Sequence, residues 1–146
     1  MYDNQELDPI RLSTDRSLLD VPYVYRYLHE NMYWAKSLTY EAFERAVAHS
    51  AVVVAAYDAD ADNRLAGFAR VISDCATFAY LTDVFIVEPY RGRGLSKKLM
   101  RFMMSHPDLQ GLRRFALVTK DAHGLYEQFG FQPLHDAEKW MQIKGN

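Results

Sequence analysis

Apolar residues recur at helical spacing in two stretches near the start of the chain. The first stretch has apolar residues at i, i+3, i+4 and i+7, namely Val21, Val24, Tyr25 and Leu28. Because this spacing places side chains on one helix face, it predicts an amphipathic helix that follows the N-cap Asp20 and ends near Asn31. A second helix is expected after Thr39, a suitable N-cap, with Phe43 and Val47 on its apolar face.

After residue 50 the pattern changes to short runs rich in β-branched and aromatic side chains. Three such runs cover residues 51–57, 65–73 and 77–87, separated by turn residues, and predict an antiparallel meander. The first turn, residues 58–63, has acidic residues at alternate positions, as a calcium-binding EF-hand loop does. Asn63 and Ala69 stand where that loop needs Gly and Glu, so we interpret the segment as a solvated hairpin turn.

The second half of the chain alternates helical and strand patterns. A helix is predicted from Leu95 to the His106-Pro107 pair, a strand over 114–119 and a short helix over 122–128 that closes at Gly130. Two final strands are expected over 131–134 and 140–143. With a strand before the first helix, the order predicts an α/β (α+β) fold, a mixed sheet with helices on its faces.

Length and composition limit the class of protein. The 146 residues, 49% hydrophobic and 25% charged with no repeat or linker, predict one domain over residues 1–146. A formal net charge of −2 argues against a nucleic-acid partner. The longest apolar run, 51–57, is far shorter than the roughly 20 residues that span a membrane. The single Cys75 and the acidic first residues favour a soluble cytoplasmic protein.

Glycine and arginine alternate where the third strand of the meander leads into a helix. The segment reads Arg91-Gly-Arg-Gly94. Glycine lets backbone N–H groups approach a ligand closely, and both the helix dipole and the arginine side chains favour an anion. The spacing fits neither a P-loop nor a dinucleotide-binding fingerprint. The sequence therefore predicts an anion-binding turn of another kind.

Two motifs resemble those of the GNAT (Gcn5-related N-acetyltransferase) superfamily. Residues 91–96, RGRGLS, resemble its R/Q-x-x-G-x-G/A acyl-CoA signature, and residues 125–131, LYEQFGF, resemble its L-Y-x-x-x-G-F element. One helix and one strand separate them, as in that family, and the resemblance covers about residues 10–143. It departs at Ser96, where Gly or Ala is usual, and at Thr119, where Asn is frequent. It implies a mostly antiparallel sheet with helices on both faces and two splayed central strands.

The resemblance implies acetyl-CoA as cosubstrate. In GNAT proteins the pyrophosphate rests on the glycine-rich turn, the pantetheine pairs with the preceding strand, and the thioester enters between the splayed strands. A strand without a neighbour exposes N–H and C=O groups that such an amide-rich arm can satisfy. The residues implied to bind it are Phe85, Ile86, Val87, Arg91, Gly92, Arg93, Gly94, Leu95, Ser96, Thr119 and Tyr126.

Acetyl transfer from a thioester to an amine needs a proton donor for the thiolate and a proton acceptor for the ammonium. Tyr126 matches the family's tyrosine, and a phenol with an ordinary pKa of about 10 is protonated at neutral pH. We expect it to be the acid, with simple packing as the competing interpretation. Asp83, in the strand beside the thioester, is the candidate base; the alternatives are that Asp83 bonds the backbone or an arginine and that water takes the proton.

The resemblance implies that the acceptor site lies next to the connection between the first two helices, which borders the acceptor side of the thioester in the GNAT arrangement. There Tyr33 and Trp34 would form an aromatic wall, with Asp83 supplying negative charge; covering the core is their alternative role. The five histidines lack metal-ligand spacing, so we expect no metal. We interpret His123, three residues before Tyr126, as a surface or capping residue, with a place near the cosubstrate as the alternative.

The sequence thus predicts an acetyl-CoA-dependent N-acetyltransferase that acts on a small-molecule amine by direct attack. One alternative is an acyl-CoA-binding sensor without turnover, and another is a protein or peptide N-acetyltransferase. A homodimer is left open.

Overall fold

A computed structural model describes residues 8–145. The strands in that range are β1 (Ile10–Ser13), β2 (Val52–Asp58), β3 (Arg64–Ser73), β4 (Phe78–Ile86) and β5 (Arg114–Leu117). The α-helices are α1 (Val21–Asn31), α2 (Tyr40–Ala48), α3 (Leu95–Met104) and α4 (His123–Glu127). No helix in this part of the chain is long and apolar enough to cross a membrane.

The five strands form one sheet in the order β1-β2-β3-β4-β5. Neighbouring strands from β1 to β4 are antiparallel, and β5 runs parallel to β4. The predicted meander and the mostly antiparallel sheet are therefore confirmed. The connection from β4 to β5 passes through α3, as a parallel pair requires.

Local capping explains where α1 and α2 begin. The side chain of Asp20 accepts a hydrogen bond from the N–H of Tyr23 at 3.1 Å, and that of Thr39 accepts one from the N–H of Ala42 at 3.2 Å. Both bonds satisfy N–H groups that a helix start leaves without partners. Both predicted N-caps are confirmed, and a short 3₁₀ turn, Tyr33–Ala35, joins the two helices.

The core lies on both faces of the sheet. Five consecutive residues of β2, 52–56, are buried, and since successive side chains of a strand point to opposite faces, both faces of β2 are covered. On α3, Leu99, Met100 and Met103 are fully buried, and this helix packs against β2, β3 and β4. These contacts hold the start of α3 close to the end of β4.

The end of the chain departs from the prediction. The strands expected over 131–134 and 140–143 do not form, and Met141 and Ile143 are almost fully exposed. Pro133 has no N–H to donate to a strand ladder. The segment contacts β5 through side chains instead: Asp136 accepts from Arg114 at 2.9 Å, and the Arg114 guanidinium lies 4.7 Å from the centre of the Trp140 ring.

This arrangement makes β5 the edge strand of the described sheet, where the sequence predicted a central strand. The predicted strand over 114–119 also ends earlier, at Leu117. Thr119 lies in the following loop, where its Oγ1 accepts from the N–H of Ala122 at 3.0 Å. That bond turns the chain toward α4.

Candidate active site

A gap opens between β4 and β5 because the two strands pair over only part of their length. Residues 78–81 of β4 pair with residues 114–117 of β5, and β4 then continues to Ile86 with only β3 beside it. The N–H of Val87 donates to the carbonyl of Ala66 at 2.8 Å, toward β3. Since backbone groups alternate in direction along a strand, those of Ile86 face the gap. The predicted splay of the two strands is confirmed.

The carbonyl of Ile86 accepts hydrogen bonds from two side chains. The Nε of Arg91 donates to it at 2.9 Å and the hydroxyl of Tyr27 at 3.5 Å. Arg91 also donates through Nη2 to the Tyr27 hydroxyl at 3.1 Å. The ring of Tyr27 stacks on Phe85, with centroids 4.2 Å apart. Tyr27 could not be recognised from the sequence, because helical spacing marks it only as a neighbour of the buried face of α1.

The glycine-rich turn after β4 has the backbone that the motif requires. Gly92 and Gly94 have φ angles of 78° and 77°, in the left-handed region that favours glycine. A Cβ at either position would meet no atom within 4 Å, so the space beside the turn is open. Gly94 is the N-cap of α3 and no side chain caps it. The first N–H groups of α3 are therefore available to an anion.

The rest of the turn is anchored to the sheet. Tyr90 is buried and donates a hydrogen bond to Asp58, at the end of β2, at 2.6 Å. The guanidinium of Arg93 lies 5.5 Å from the centre of the Tyr90 ring. Leu95 is buried and Ser96 half-buried, so these two residues offer chiefly their backbone N–H groups. One part of the turn is thus fixed to the sheet through Tyr90, and the part around Gly92 and Gly94 is open and carries positive charge.

Tyr126 lies in α4 beside a cavity lined by β5, by Phe78 and Tyr80 of β4 and by the segment that follows α4. The cavity has a volume of about 610 Å³, and its wall includes Thr119, His123 and Tyr126 but neither the glycine-rich turn nor Asp83. Tyr126 is 8% exposed, and burial raises the pKa of its phenol. The phenol therefore stays protonated at neutral pH, as an acid must. His123 is exposed at the first residue of α4.

Asp83 lies in β4 at the start of the gap, where its carboxylate is already engaged. The Nε of Arg70 donates to its Oδ2 at 2.6 Å, and the Asp83 side chain is 9% exposed. The ion pair commits one oxygen of the carboxylate to a guanidinium. If Asp83 acts as a base, its other oxygen, Oδ1, has to accept the proton.

The aromatic pair of the α1–α2 connection is exposed to solvent. Tyr33 and Trp34 are 69% and 52% exposed and meet edge to face, with centroids 5.4 Å apart, so neither belongs to the core. The Nζ of Lys120 lies 5.5 Å from the centre of the Tyr33 ring. Lys120 follows β5 at the end where the gap opens, so this contact brings the connection close to the mouth of the gap.

Comparison with known proteins agrees with this architecture. Residues 48–133 match the family model of the acetyltransferase (GNAT) domain. A GNAT-family protein from Xanthomonas campestris pv. campestris, known from its crystal structure, is 48% identical and superposes with a TM-score of 0.87 over 93% of each chain. The chain therefore belongs to the GNAT family of acetyltransferases.

Two curated proteins are also similar to the chain. The thialysine N-epsilon-acetyltransferase of Mus musculus is 29% identical over 69 residues, which are 44% of this chain and 41% of the mouse protein. The chain thus spans about two fifths of that relative's length. The uncharacterized N-acetyltransferase ycf52 of Porphyra purpurea is 27% identical over 142 residues, which cover 96% of this chain and 80% of the relative.

Proposed function

We propose that this protein transfers an acetyl group from acetyl-CoA to the primary amine of a small molecule by direct attack. One observation carries the proposal: the unpaired edge of β4 runs directly into an open glycine-rich turn at the uncapped start of α3. An extended amide arm ending in a pyrophosphate matches that edge and that turn in both shape and charge.

Each part of the cosubstrate would have its own contact. The N–H groups at the start of α3 would hold the pyrophosphate, with Arg91 and Arg93 adding positive charge. Along β4, the backbone of Ile86 would pair with the pantetheine. The carbonyl of Ile86 already accepts from Arg91 and Tyr27, so its N–H is the group still available to the arm.

In the reaction the substrate nitrogen loses two protons and the sulfur gains one. Acetyl-CoA supplies the acyl group as a thioester. The amine nitrogen, once its ammonium proton is lost, forms a bond to the acyl carbon, and Tyr126 donates its phenolic proton to the sulfur as the C–S bond breaks. The second proton that the nitrogen loses on becoming an amide returns through water to the Tyr126 phenolate. The proton of the substrate ammonium passes to water or to Asp83. The ion pair with Arg70 favours water, because it already occupies one carboxylate oxygen.

The acceptor amine would bind against Tyr33 and Trp34. An aromatic face attracts cations, and Tyr33 already has one over its ring, the ammonium of Lys120. The name of the mouse relative specifies an ε-amino acceptor, which supports a primary amine on a flexible chain. The chain's net charge of −2 provides no strong field to attract a basic polypeptide.

A thiol-release screen tests the proposal. The protein is incubated with acetyl-CoA and separately with amino acids, polyamines, aminoglycosides and lysine-containing peptides, and free CoA thiol is measured. We expect release with at least one small amine and weaker release with peptides. Binding of acetyl-CoA without release in any mixture would favour the sensor, and peptides that outcompete every small amine would favour a protein acetyltransferase.

A further inference from the structure

Arg70 and Asp83 form a buried ion pair where β4 leaves β5. The Nε of Arg70 donates to Oδ2 of Asp83 at 2.6 Å, and the two side chains are 12% and 9% exposed. Leu81, opposite Leu117, is the last residue of β4 to pair with β5, so Asp83 stands two residues further along, within the gap. Charges removed from water attract each other more strongly than charges on the surface, because they are screened less.

The backbone at Asp83 has an unusual conformation that needs support. Its φ angle is 57°, in the left-handed region that residues with a Cβ rarely adopt. The register shows why: from Phe68 to Arg70 β3 advances two residues, while opposite them β4 advances three, from Thr82 to Phe85. β4 therefore carries a β-bulge at this point. A bulge bends a strand and redirects the residues beyond it.

Arg70 also joins this bulge to the end of α2. Its Nη1 donates to the Oγ of Ser50 at 3.2 Å, and that hydroxyl donates to the carbonyl of Ala46 at 2.8 Å. Ser50 is 4% exposed. On the other side, Arg16 donates to the carbonyl of Val47 at 2.6 Å and to that of Ser50. One guanidinium thus connects the bulge to the helix that precedes β2.

We propose that Arg70 is a positioning residue that sets the course of β4 along the gap and acts through Asp83. The inference rests on the proposed function, because the gap is where the acetyl thioester would lie. Asp83, bound through Oδ2 to Arg70, holds the bulge, and water accepts the proton of the substrate amine. Losing the guanidinium would let the bulge relax and misplace the β4 edge against the thioester.

Activity measurements provide the first test. We expect Arg70→Met to lower kcat about tenfold to a hundredfold, as small misplacements of a reacting group do. Acetyl-CoA affinity measured by calorimetry should change little, since the glycine-rich turn is untouched, and the pH–rate profile should keep its shape. Arg70→Lys should restore part of the loss. The double variant Arg70→Met/Asp83→Gly should be no slower than Arg70→Met, because the two substitutions remove the same ion pair.

Hydrogen exchange gives a readout that does not depend on turnover. In Arg70→Met the amides of Phe85 and Val87, which face β3, should exchange about tenfold faster than in the wild type, since local opening becomes easier. Lys98→Met is the matched control, because it breaks a 2.7 Å ion pair with Asp8 away from β4 and should leave these amides unchanged. If Arg70→Met does not fold, Arg70→Lys and Asp83→Asn carry the same test with smaller changes.

Two results would overturn the proposal. One is wild-type exchange at the amides of Phe85 and Val87 in the Arg70 and Asp83 variants. The other is the loss of the acidic limb of the pH–rate profile in Asp83→Gly but not in Arg70→Met, which would identify Asp83 as the base. A wild-type protein that binds no acetyl-CoA would contradict the proposed function instead, and the exchange result would still decide the role of Arg70.

Discussion

The two sides of the β4–β5 gap are made from different parts of the polypeptide. On the proposed cosubstrate side the groups belong to the backbone: the edge of β4 at Ile86, and the N–H groups beside Gly92 and Gly94. On the proposed acceptor side they are the exposed side chains of Tyr33 and Trp34, presented from a short turn. A backbone site should tolerate most side-chain changes but not the loss of glycine, and a side-chain site should behave in the opposite way.

The largest effect is expected where neither side of the gap is altered. Tyr126→Phe should lower kcat by about 10²- to 10⁴-fold, the usual contribution of a general acid, with acetyl-CoA affinity and melting temperature unchanged. Steady-state kinetics measure kcat, and calorimetry measures the affinity for acetyl-CoA and the melting temperature. Tyr57→Phe is the control, since the Tyr57 hydroxyl is buried without a hydrogen-bond partner among residues 8–145 and lies outside the gap. Unchanged turnover in Tyr126→Phe would show that Tyr126 only packs.

The pH dependence of kcat follows from the environment of Tyr126. Burial raises the pKa of its phenol. A raised pKa means that the acid form persists to higher pH, so activity that depends on it should survive past the ordinary phenol pKa of about 10 before it falls. A stopped-flow pH series measures this, and an alkaline fall centred well below that value would argue against Tyr126 as the donor.

Gly94→Asp should cause the next largest effect, on the cosubstrate side alone. A residue with a Cβ costs about 1–2 kcal/mol in the left-handed conformation, and the new carboxylate would repel the pyrophosphate, so affinity for acetyl-CoA should fall by more than about tenfold. Gly111→Asp is the matched control, with a φ of 68° and equally open surroundings at the opposite end of β5. Equal calorimetric affinities for the two variants would contradict the site.

Arg91→Ala should weaken acetyl-CoA binding by about tenfold, because hydrogen bonds to charged groups are worth about 1.5–3 kcal/mol. Removing it would also free the carbonyl of Ile86, so part of the loss comes from a less ordered end of β4. The exposed Arg113, at the far end of the sheet, provides the control substitution Arg113→Ala. If both variants bind alike, Arg91 serves only to fasten β4 to α1.

The smallest effect is expected on the acceptor side. Trp34→Ala should raise the KM for the amine about two- to fivefold, because an exposed cation–π contact is worth about 0.5–1 kcal/mol. The KM for acetyl-CoA should stay the same. Phe102→Ala removes another exposed aromatic ring, from α3, and should alter neither constant. A change in stability alone would assign Trp34 a structural role.

The parts of the fold that depend on neighbouring residues could be predicted from the sequence. The signals involved lie within a few residues of each other: the N-caps Asp20 and Thr39, the apolar faces of the helices, and the strand runs rich in β-branched and aromatic side chains. The glycine-rich turn is equally local, because the left-handed φ angles at Gly92 and Gly94 follow from a short motif. The splay of β4 from β5 came from the family resemblance.

Contacts between distant residues could not be predicted in the same way. Tyr27 and Arg91 meet across 64 positions of the chain, and Arg70 reaches Asp83 only because β3 and β4 pair in one register. The predicted final strands were wrong for a similar reason. Strands were expected over residues 131–134 and 140–143, but Asp136 and Trp140 contact Arg114 with their side chains and no ladder forms.

A titration of the protein with acetyl-CoA, followed at individual backbone amides by NMR, tests the cosubstrate site most directly. We expect the largest shifts at the N–H of Ile86 and at residues 94–96, with smaller shifts around Tyr33 until an amine is added. Large shifts confined to the cavity beside β5, or none along β4, would contradict the claim that the β4 edge and the glycine-rich turn bind the cosubstrate.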